Sequence, residues 1–334
     1  MNRCFHAGLP PGAYTDPAFL ARERATLFRT FWQWAGLVDD LKKPGGLVTD
    51  IAGLPIAVTG DADDMRVSRD TGPGREDFPG AEAQRCGQFV FVRLAPGGPP
   101  LVDYLQDYAA VLQHCTDNFD EAYHVEAEEW ACNWKAGLEI TLEGYHVPFV
   151  HRKSEFVDAV PNSGRPVLHG PHSYQCGFMS AQTRLEMANV AKRLKIVRSE
   201  LYEHYDHFTL FPNMTLGLSG GNLCFMQIYA PLAPGLTRLR YAYILARLAD
   251  PASPPPAPIK AALLQKWRDF TVLVLNEDRS ACERFQLGVP HAHAPALIGD
   301  MVEARVTHFH KFWRQAVLEQ SAEQAGSAAN ACAA

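Results

Sequence analysis

The stretch Asn133–His151, NWKAGLEITLEGYHVPFVH, carries the carboxylate Glu143 three residues before His146, then Tyr145-His146, and then His151 five residues beyond. Residues at i, i+3 and i+4 share a helical face, so Glu143 lies beside His146, and i+5 stays within reach. Pro148, between the histidines, removes a backbone donor and favours a bend that would aim both imidazoles at one point. Spacing alone leaves two readings open. One is a pair of polar histidines on an ordinary helix; the other is two metal ligands backed by an acid.

A second stretch, NEDRSACERFQLG over 276–288, follows about 125 residues later. It closes a helical pattern expected over 259–286. There Trp267, Thr271, Val274, Asp278, Cys282 and Phe285 recur at i+3/i+4 steps and put Asp278 on the apolar face. A buried, unpaired carboxylate is costly. Asp278 therefore needs a salt bridge to an arginine such as Arg279 or Arg284, or a metal. Glu277 points about 100° away, on a less apolar face. Two histidines and one carboxylate are the facial set that holds a non-haem Fe(II) with positions left open.

The first stretch resembles the catalytic-domain signature of the Rieske non-haem iron oxygenase alpha subunits, the aromatic-ring-hydroxylating oxygenases. The matching residues are Asn133-Trp134-Lys135, Glu139, Glu143, Tyr145-His146 and His151, with Ile140 where the family has Asn. Glu277, Asp278, Glu283, Gln286 and Gly288 are similar to its third-ligand region. The resemblance implies a mononuclear Fe(II) on His146, His151 and Asp278, with O₂ as co-substrate. It implies for Glu143 the role of the acid that links a ligand histidine to a neighbouring subunit's iron–sulfur domain. Glu143 and Asp278 are thus the implied catalytic residues.

The N-terminal third carries the resemblance further. LPPGAYTDPAFLARERATLFRTFWQWAG (9–36) and LKKPGGLVTDIAGLPIAV (41–58) resemble the start of the family's Rieske domain, and GQFVFVRL (87–94) its end. Between these landmarks the family carries C-x-H and C-x2-H, which bind a [2Fe–2S] centre. Here a short polar segment with a lone Cys86 replaces them, and no C-x2-H occurs anywhere. Cys4-Phe5-His6 is formally C-x-H, but it precedes the whole region and has no partner motif. The expectation is a chain with no [2Fe–2S] of its own. Residues 1–100 would be a truncated Rieske-like part, 101–318 the catalytic domain and 319–334 a frayed, Ala/Ser/Gln-rich tail.

The rest of the chain predicts an α+β fold of the helix-grip kind, an antiparallel sheet with a long helix. Strand candidates are 123–131, 202–210, 214–218, 222–229 and 236–248. Gly220-Gly221 makes a hairpin turn, and a Pro-rich connection over 249–258 leads into the long helix. Earlier, 15–34 reads as one helix, capped by Thr15 or Asp16 and striped by Leu20, Leu27, Phe31 and Trp34. Residues 60–87 read as loop, 88–94 as a strand, 101–114 as a helix and 301–317 as a closing helix. Phe149, Phe156, Phe178, Phe208 and Phe211 suit a pocket or a core equally. His169, His172, His204 and His207 are pocket candidates. The pairs His291/His293 and His308/His310 read as solvated or packed.

With 334 residues, 47% hydrophobic, and a net charge of −6, the chain has a globular composition and no nucleic-acid-binding character. No run of 18 apolar residues predicts a membrane span, and the N-terminus lacks a signal-peptide core. Eight scattered cysteines suit reduced thiols in the cytoplasm. The resemblance implies an oxygenase component that hydroxylates or demethylates a small aromatic or N-methyl compound. Its electrons would come from a partner Rieske [2Fe–2S] protein or Rieske-containing subunit with an NAD(P)H reductase, in a trimer or hetero-oligomer. The alternative is a non-catalytic structural or regulatory subunit of such a complex. A third reading is a small-molecule binding module that uses only the cavity.

Overall fold

The computed structural model describes residues 5–71, 74–299 and 302–319. Its centre is an eight-stranded antiparallel sheet. The main path runs Asn162–Ser163, His172–Phe178, Tyr205–Leu210, Met214–Ser219, Leu223–Ala233, Leu236–Ala246 and Phe119–Trp130, and Val167–His169 pairs onto His172–Phe178. Short turns join Tyr205–Leu210, Met214–Ser219, Leu223–Ala233 and Leu236–Ala246 into a meander. The helix Ala181–Leu194 connects His172–Phe178 to Tyr205–Leu210, and Phe119–Trp130, first of these strands in the chain, pairs with Leu236–Ala246. Gly220 and Gly221, both at positive φ (58° and 72°), make the turn between Met214–Ser219 and Leu223–Ala233, the backbone conformation a two-residue hairpin favours. The helix Ala257–Gly288 lies across the sheet and buries Leu275, Asp278 and Cys282 on one stripe. Phe285, expected on that stripe, is 44% exposed, with its ring edge-to-face against Tyr14.

Alternate residues of each strand point to opposite faces. Leu216, Leu218, Cys224 and Met226 belong to a core shared with the helix Tyr108–Asn118 and with Trp34, Phe89 and Phe91. The strand Phe89–Arg93 is buried throughout. Its phenylalanines pack on that core, while Val90 and Val92 pack with Ile56 and Val58 in another. This two-faced strand, in the three-stranded sheet Gln33–Leu37/Phe89–Arg93/Glu82–Cys86, joins the first hundred residues to the central sheet.

The N-terminal region corrects two expectations. Residues 15–34 are not one helix. Asp16, in extended conformation, caps Pro17–Ala25 through Ala18 N (2.8 Å). That helix stops at Thr26, one further turn covers Leu27–Thr30, and Trp34 then sits in the strand Gln33–Leu37. Sheet pairing with Phe89–Arg93 overrides the helical spacing there. Nor is 60–87 a loop. Met65–Asp70, Arg75–Asp77 and Glu82–Cys86 are strands, and the first two extend a four-stranded meander from Leu47–Ile51 and Leu54–Gly60. Their outer faces meet solvent, so their polar composition reads as loop. The helix over 101–114 divides into Leu101–Leu105 and Tyr108–Asn118, and the closing helix is Ala304–Arg314, followed by a π-helical turn, Gln315–Glu319. The frayed tail expected over 319–334 lies outside the described residues beyond Glu319. No helix among the described residues is long and apolar enough to cross a membrane.

Candidate metal centre

Asn133, Trp134 and Lys135 set the position of the site. The Asn133 side chain caps the helix Trp134–Glu139 by accepting from Lys135 N (3.0 Å), and its Nδ2 donates to Pro234 O (2.7 Å). Gln286 accepts from Asn133 N (2.9 Å), which ties the long helix to this start. Trp134 Nε1 and Lys135 Nζ both donate to the buried Glu23 (2.9 and 2.6 Å). A 3₁₀ turn, Ile140–Leu142, then delivers Glu143. The single-turn helix Val147–Val150 follows, with His146 just before it and His151 just after. Pro148 falls in its first turn, where no backbone donor is required, so the bend expected there is a short helix flanked by the two histidines.

Each imidazole is held by its own carboxylate. Glu143 Oε2 accepts from Tyr145 N (2.7 Å) and His146 N (3.1 Å), and its Oε1 lies 2.5 Å from His146 Nδ1. Glu277 Oε2 lies 3.2 Å from His151 Nδ1 and accepts from Ser154 Oγ (2.7 Å), and Oε1 accepts from Lys153 N (2.8 Å). Carboxylates accept, so in the neutral rings both Nδ1 atoms carry the proton and both Nε2 atoms present lone pairs. Those Nε2 atoms are 3.3 Å apart. Asp278 Oδ1 is 3.3 Å from His151 Nε2 and 3.6 Å from His146 Nε2. It is buried and has no hydrogen-bond donor.

Two imidazole nitrogens and the unpartnered carboxylate oxygen thus converge, and a cation at their centre would satisfy all three. Their separations fit ligands of one ion: donor atoms about 2 Å from a shared centre, at right angles, lie about 3 Å apart. The triad is the one group of three or more His, Cys, Asp or Glu side chains, among the described residues, arranged to hold a metal. Burial, with the nearby Glu143 and Glu277 charges, pushes the Asp278 carboxyl up to about 7 against the pull of His146. Burial and the neighbouring His146 push His151 down. Burial acts most strongly on His146 and lowers it, but the hydrogen bonds and charge of Glu143, together with the charge of Asp278, leave it raised. A cation would return Asp278 to its anionic form and keep both rings neutral.

The salt bridge weighed for Asp278 does not form with Arg279, whose guanidinium pairs with Glu283 (2.8 Å). Glu277, set aside on the sequence as facing away, is the residue that orients His151. A helical step of 100° points it at the far side of the ring that Asp278 faces. The signal was available, because a ligand histidine needs an acceptor on its other nitrogen.

The triad opens into a cavity of about 830 Å³. Phe149 and Phe156 line it; Phe178 lies at the surface, and Phe208 and Phe211 are core. Of the pocket-candidate histidines, His207 lines the cavity. His172 is buried between Tyr104 O and Phe211 N, His204 accepts from Met179 N, and His169 meets Asp107. His308 reaches Gly170 O and His310 reaches Glu139, both packed; His291 and His293 are exposed. Arg305 was not singled out on the sequence.

A family model described as "Ring hydroxylating alpha subunit (catalytic domain)" matches residues 117–319. No curated protein matches the sequence. Among solved structures, a quaternary ammonium Rieske monooxygenase described for carnitine oxidation by gut microbiota and inter-subunit electron transfer superimposes with a TM-score of 0.70. It is 16% identical, over 93% of this chain and 96% of that one. The quaternary ammonium Rieske monooxygenase CntA in complex with gamma-butyrobetaine gives 0.68 at 15% identity, over 94% and 96%. Naphthalene 1,2-dioxygenase from Rhodococcus sp. bound to indole gives 0.63 at 14%, over 94% and 95%. At such identities the likeness establishes the fold.

Proposed function

As this chain belongs to the ring-hydroxylating alpha-subunit family, we propose that it is the catalytic component of an oxygenase. It holds a mononuclear Fe(II) on His146, His151 and Asp278 and draws electrons from a separate Rieske [2Fe–2S] protein. The observation that carries this reading is the convergence of two imidazole nitrogens and an unpartnered buried carboxylate oxygen at a large cavity. Iron bound there would supply O₂ activation. The chain's own residues do the rest. Glu143 and Glu277 fix the two imidazoles with Nε2 inward, Phe156 packs on the His151 ring, and Glu143 faces His146 as the contact to a docked donor.

The need for an outside donor rests on the sequence. Hydroxylation with one O₂ consumes two electrons. Between His6 and His114 there is no histidine, and Cys86 is the single cysteine between Cys4 and Cys115. The substrate is a small organic molecule, aromatic or N-methylated, in keeping with the solved relatives that act on quaternary amines and arenes. The same missing cluster motif favours the second reading, a non-catalytic subunit of a hetero-oligomeric oxygenase.

Iron analysis of anaerobically purified protein separates the two. The oxygenase reading expects about one Fe per chain without [2Fe–2S] absorption, lost in His151→Ala. Turnover should appear only when a Rieske protein and NAD(P)H reductase are added. Protein that takes up no iron on reconstitution with Fe(II) would overturn it.

A further inference from the structure

Arg305, in the first turn of the helix Ala304–Arg314, is 3% exposed and lines the same cavity as the triad. Its Nε donates to Ser173 Oγ (3.0 Å), and its Nη2 donates to Thr209 Oγ1 (2.6 Å) and His207 Nδ1 (2.9 Å). All three partners are neutral, and no carboxylate among the described residues pairs with this guanidinium. A buried charge ordinarily has a counter-charge. Here the positive charge is fixed in place by the sheet and left uncompensated on the cavity side. The hydroxyls of the nearby Tyr108 and Tyr205 are pushed by burial up to about 12 and are neutral at physiological pH. Burial draws the Arg305 pKa down to about 10, so it is still a cation at neutral pH.

The neighbouring groups extend the same character. His207 accepts at Nδ1 from a donor that is always protonated, so its ring proton sits on Nε2. Burial and the Arg305 charge push its pKa well down, which keeps the ring neutral. Strand register lines these groups up on one face. Ser173 is opposite Thr209, Thr209 opposite Thr215, and Thr215 opposite Gln227. Thr215 Oγ1 donates to Gln227 Oε1 (2.9 Å), which leaves the Gln227 amide NH₂ as its free end. The wall formed by Arg305, His207 and Gln227 therefore offers donors and one positive charge to the cavity, and no acid.

We propose that this wall is an anion subsite, and that the substrate carries a carboxylate which pairs with Arg305 while the rest of the molecule extends toward His146 and His151. The proposal rests on the reading of this cavity as the oxygenase substrate site. Arg305 is in this role a specificity-determining residue, and a neutral arene or an unsubstituted amine would leave its charge uncompensated.

Metal-free protein tests the wall without interference from a carboxylate binding iron. Benzoate and hexanoate are titrated calorimetrically, each against its own amide, benzamide and hexanamide. A charge-assisted pair predicts that at least one acid binds on the order of tenfold or more tightly than its amide. Arg305→Met should abolish that preference and Arg305→Lys retain part of it. Gln227→Leu, which leaves Arg305 and its three partners in place, should reduce it by a smaller factor. Equal binding of acid and amide by the wild type overturns the proposal, as does a folded Arg305→Met that keeps the preference. Should Arg305→Met not fold, the wild-type comparison and Arg305→Lys decide. If iron binds and the acid preference is missing, the oxygenase reading stands without the subsite. If the preference is present and iron does not bind, the subsite stands in a binding module.

Discussion

Two sets of buried charged groups, one around Glu23 and one around Asp278, are completed in opposite ways. Around Glu23 every demand is met from within. Lys135 Nζ, Trp134 Nε1 and Trp313 Nε1 all donate to its carboxylate at 2.6–2.9 Å. Lys135 also lies over the rings of Tyr14, Trp134 and Trp313. At Asp278 the two imidazole nitrogens that face it are lone-pair acceptors in the neutral rings, and Oδ1 has no donor. A closed set is architecture, since it satisfies itself whatever binds. An open set with one sign of demand indicates the ligand that completes it.

Removing one charged member from each set should break this contrast most plainly. Lys135→Met leaves the Glu23 charge buried without its ammonium, and should cost about 3–5 kcal/mol in denaturant unfolding. Asp278→Asn should behave the other way in metal-free protein, with stability unchanged or higher, because it removes a carboxylate that burial disfavours. The sign with pH follows. Asp278 binds its proton more tightly folded, at about 7, than at its ordinary 3.8. The metal-free wild type therefore loses stability as pH rises from about 4 to about 7, a loss Asn does not share. A strongly destabilised Asp278→Asn would show that the two sets are alike after all.

A third buried group sharpens the distinction, because it is closed and neutral. His172 Nε2 donates to Tyr104 O (2.8 Å), and its Nδ1 accepts from Phe211 N (3.1 Å), so protonation would cost the second bond. Burial lowers its pKa from 6.5 to about 4. Its contribution is full above pH 6.5 and is lost as pH falls toward 4, about 3 kcal/mol in all. His172→Gln, which can keep one of the two bonds, should flatten that part of the stability profile. An unchanged profile would mean that the acid loss arises elsewhere.

Much of the catalytic half was legible in the sequence because its signals are local, although the strand His172–Phe178 and the helix Ala181–Leu194 were not read from it. Alternating strands, the Gly220-Gly221 turn and the stripe through Asp278 each depend on neighbours within a few residues. The N-terminal half was less legible, because pairing across the chain decided it. Trp34 kept a helical spacing but was claimed by Phe89–Arg93, and Met65–Asp70 was too polar on its outer face to look like a strand. In the site the same division holds. His146, His151 and Glu143 lie within nine residues. Arg305 becomes conspicuous only when two separate strands and a late helix bring it to Ser173, His207 and Thr209 without an acid.

The smallest expected effect concerns Glu277, which belongs to both kinds of set at once. It is satisfied by Ser154, Lys153 and His151, and hydrogen bonds from those three hold its carboxyl below the usual range despite burial. It also holds His151 so that Nε2 faces Asp278. Glu277→Gln keeps an acceptor for the ring proton and loses only the charge, so Fe(II) affinity should fall little. Glu277→Leu removes the acceptor, frees the ring to turn, and should weaken Fe(II) binding by about 10–100-fold, with the metal-free fold intact by circular dichroism. If Leu and Gln bind Fe(II) equally well, Glu277 is part of the architecture alone, and His151 is held in place by the packing of Phe156 on its other edge.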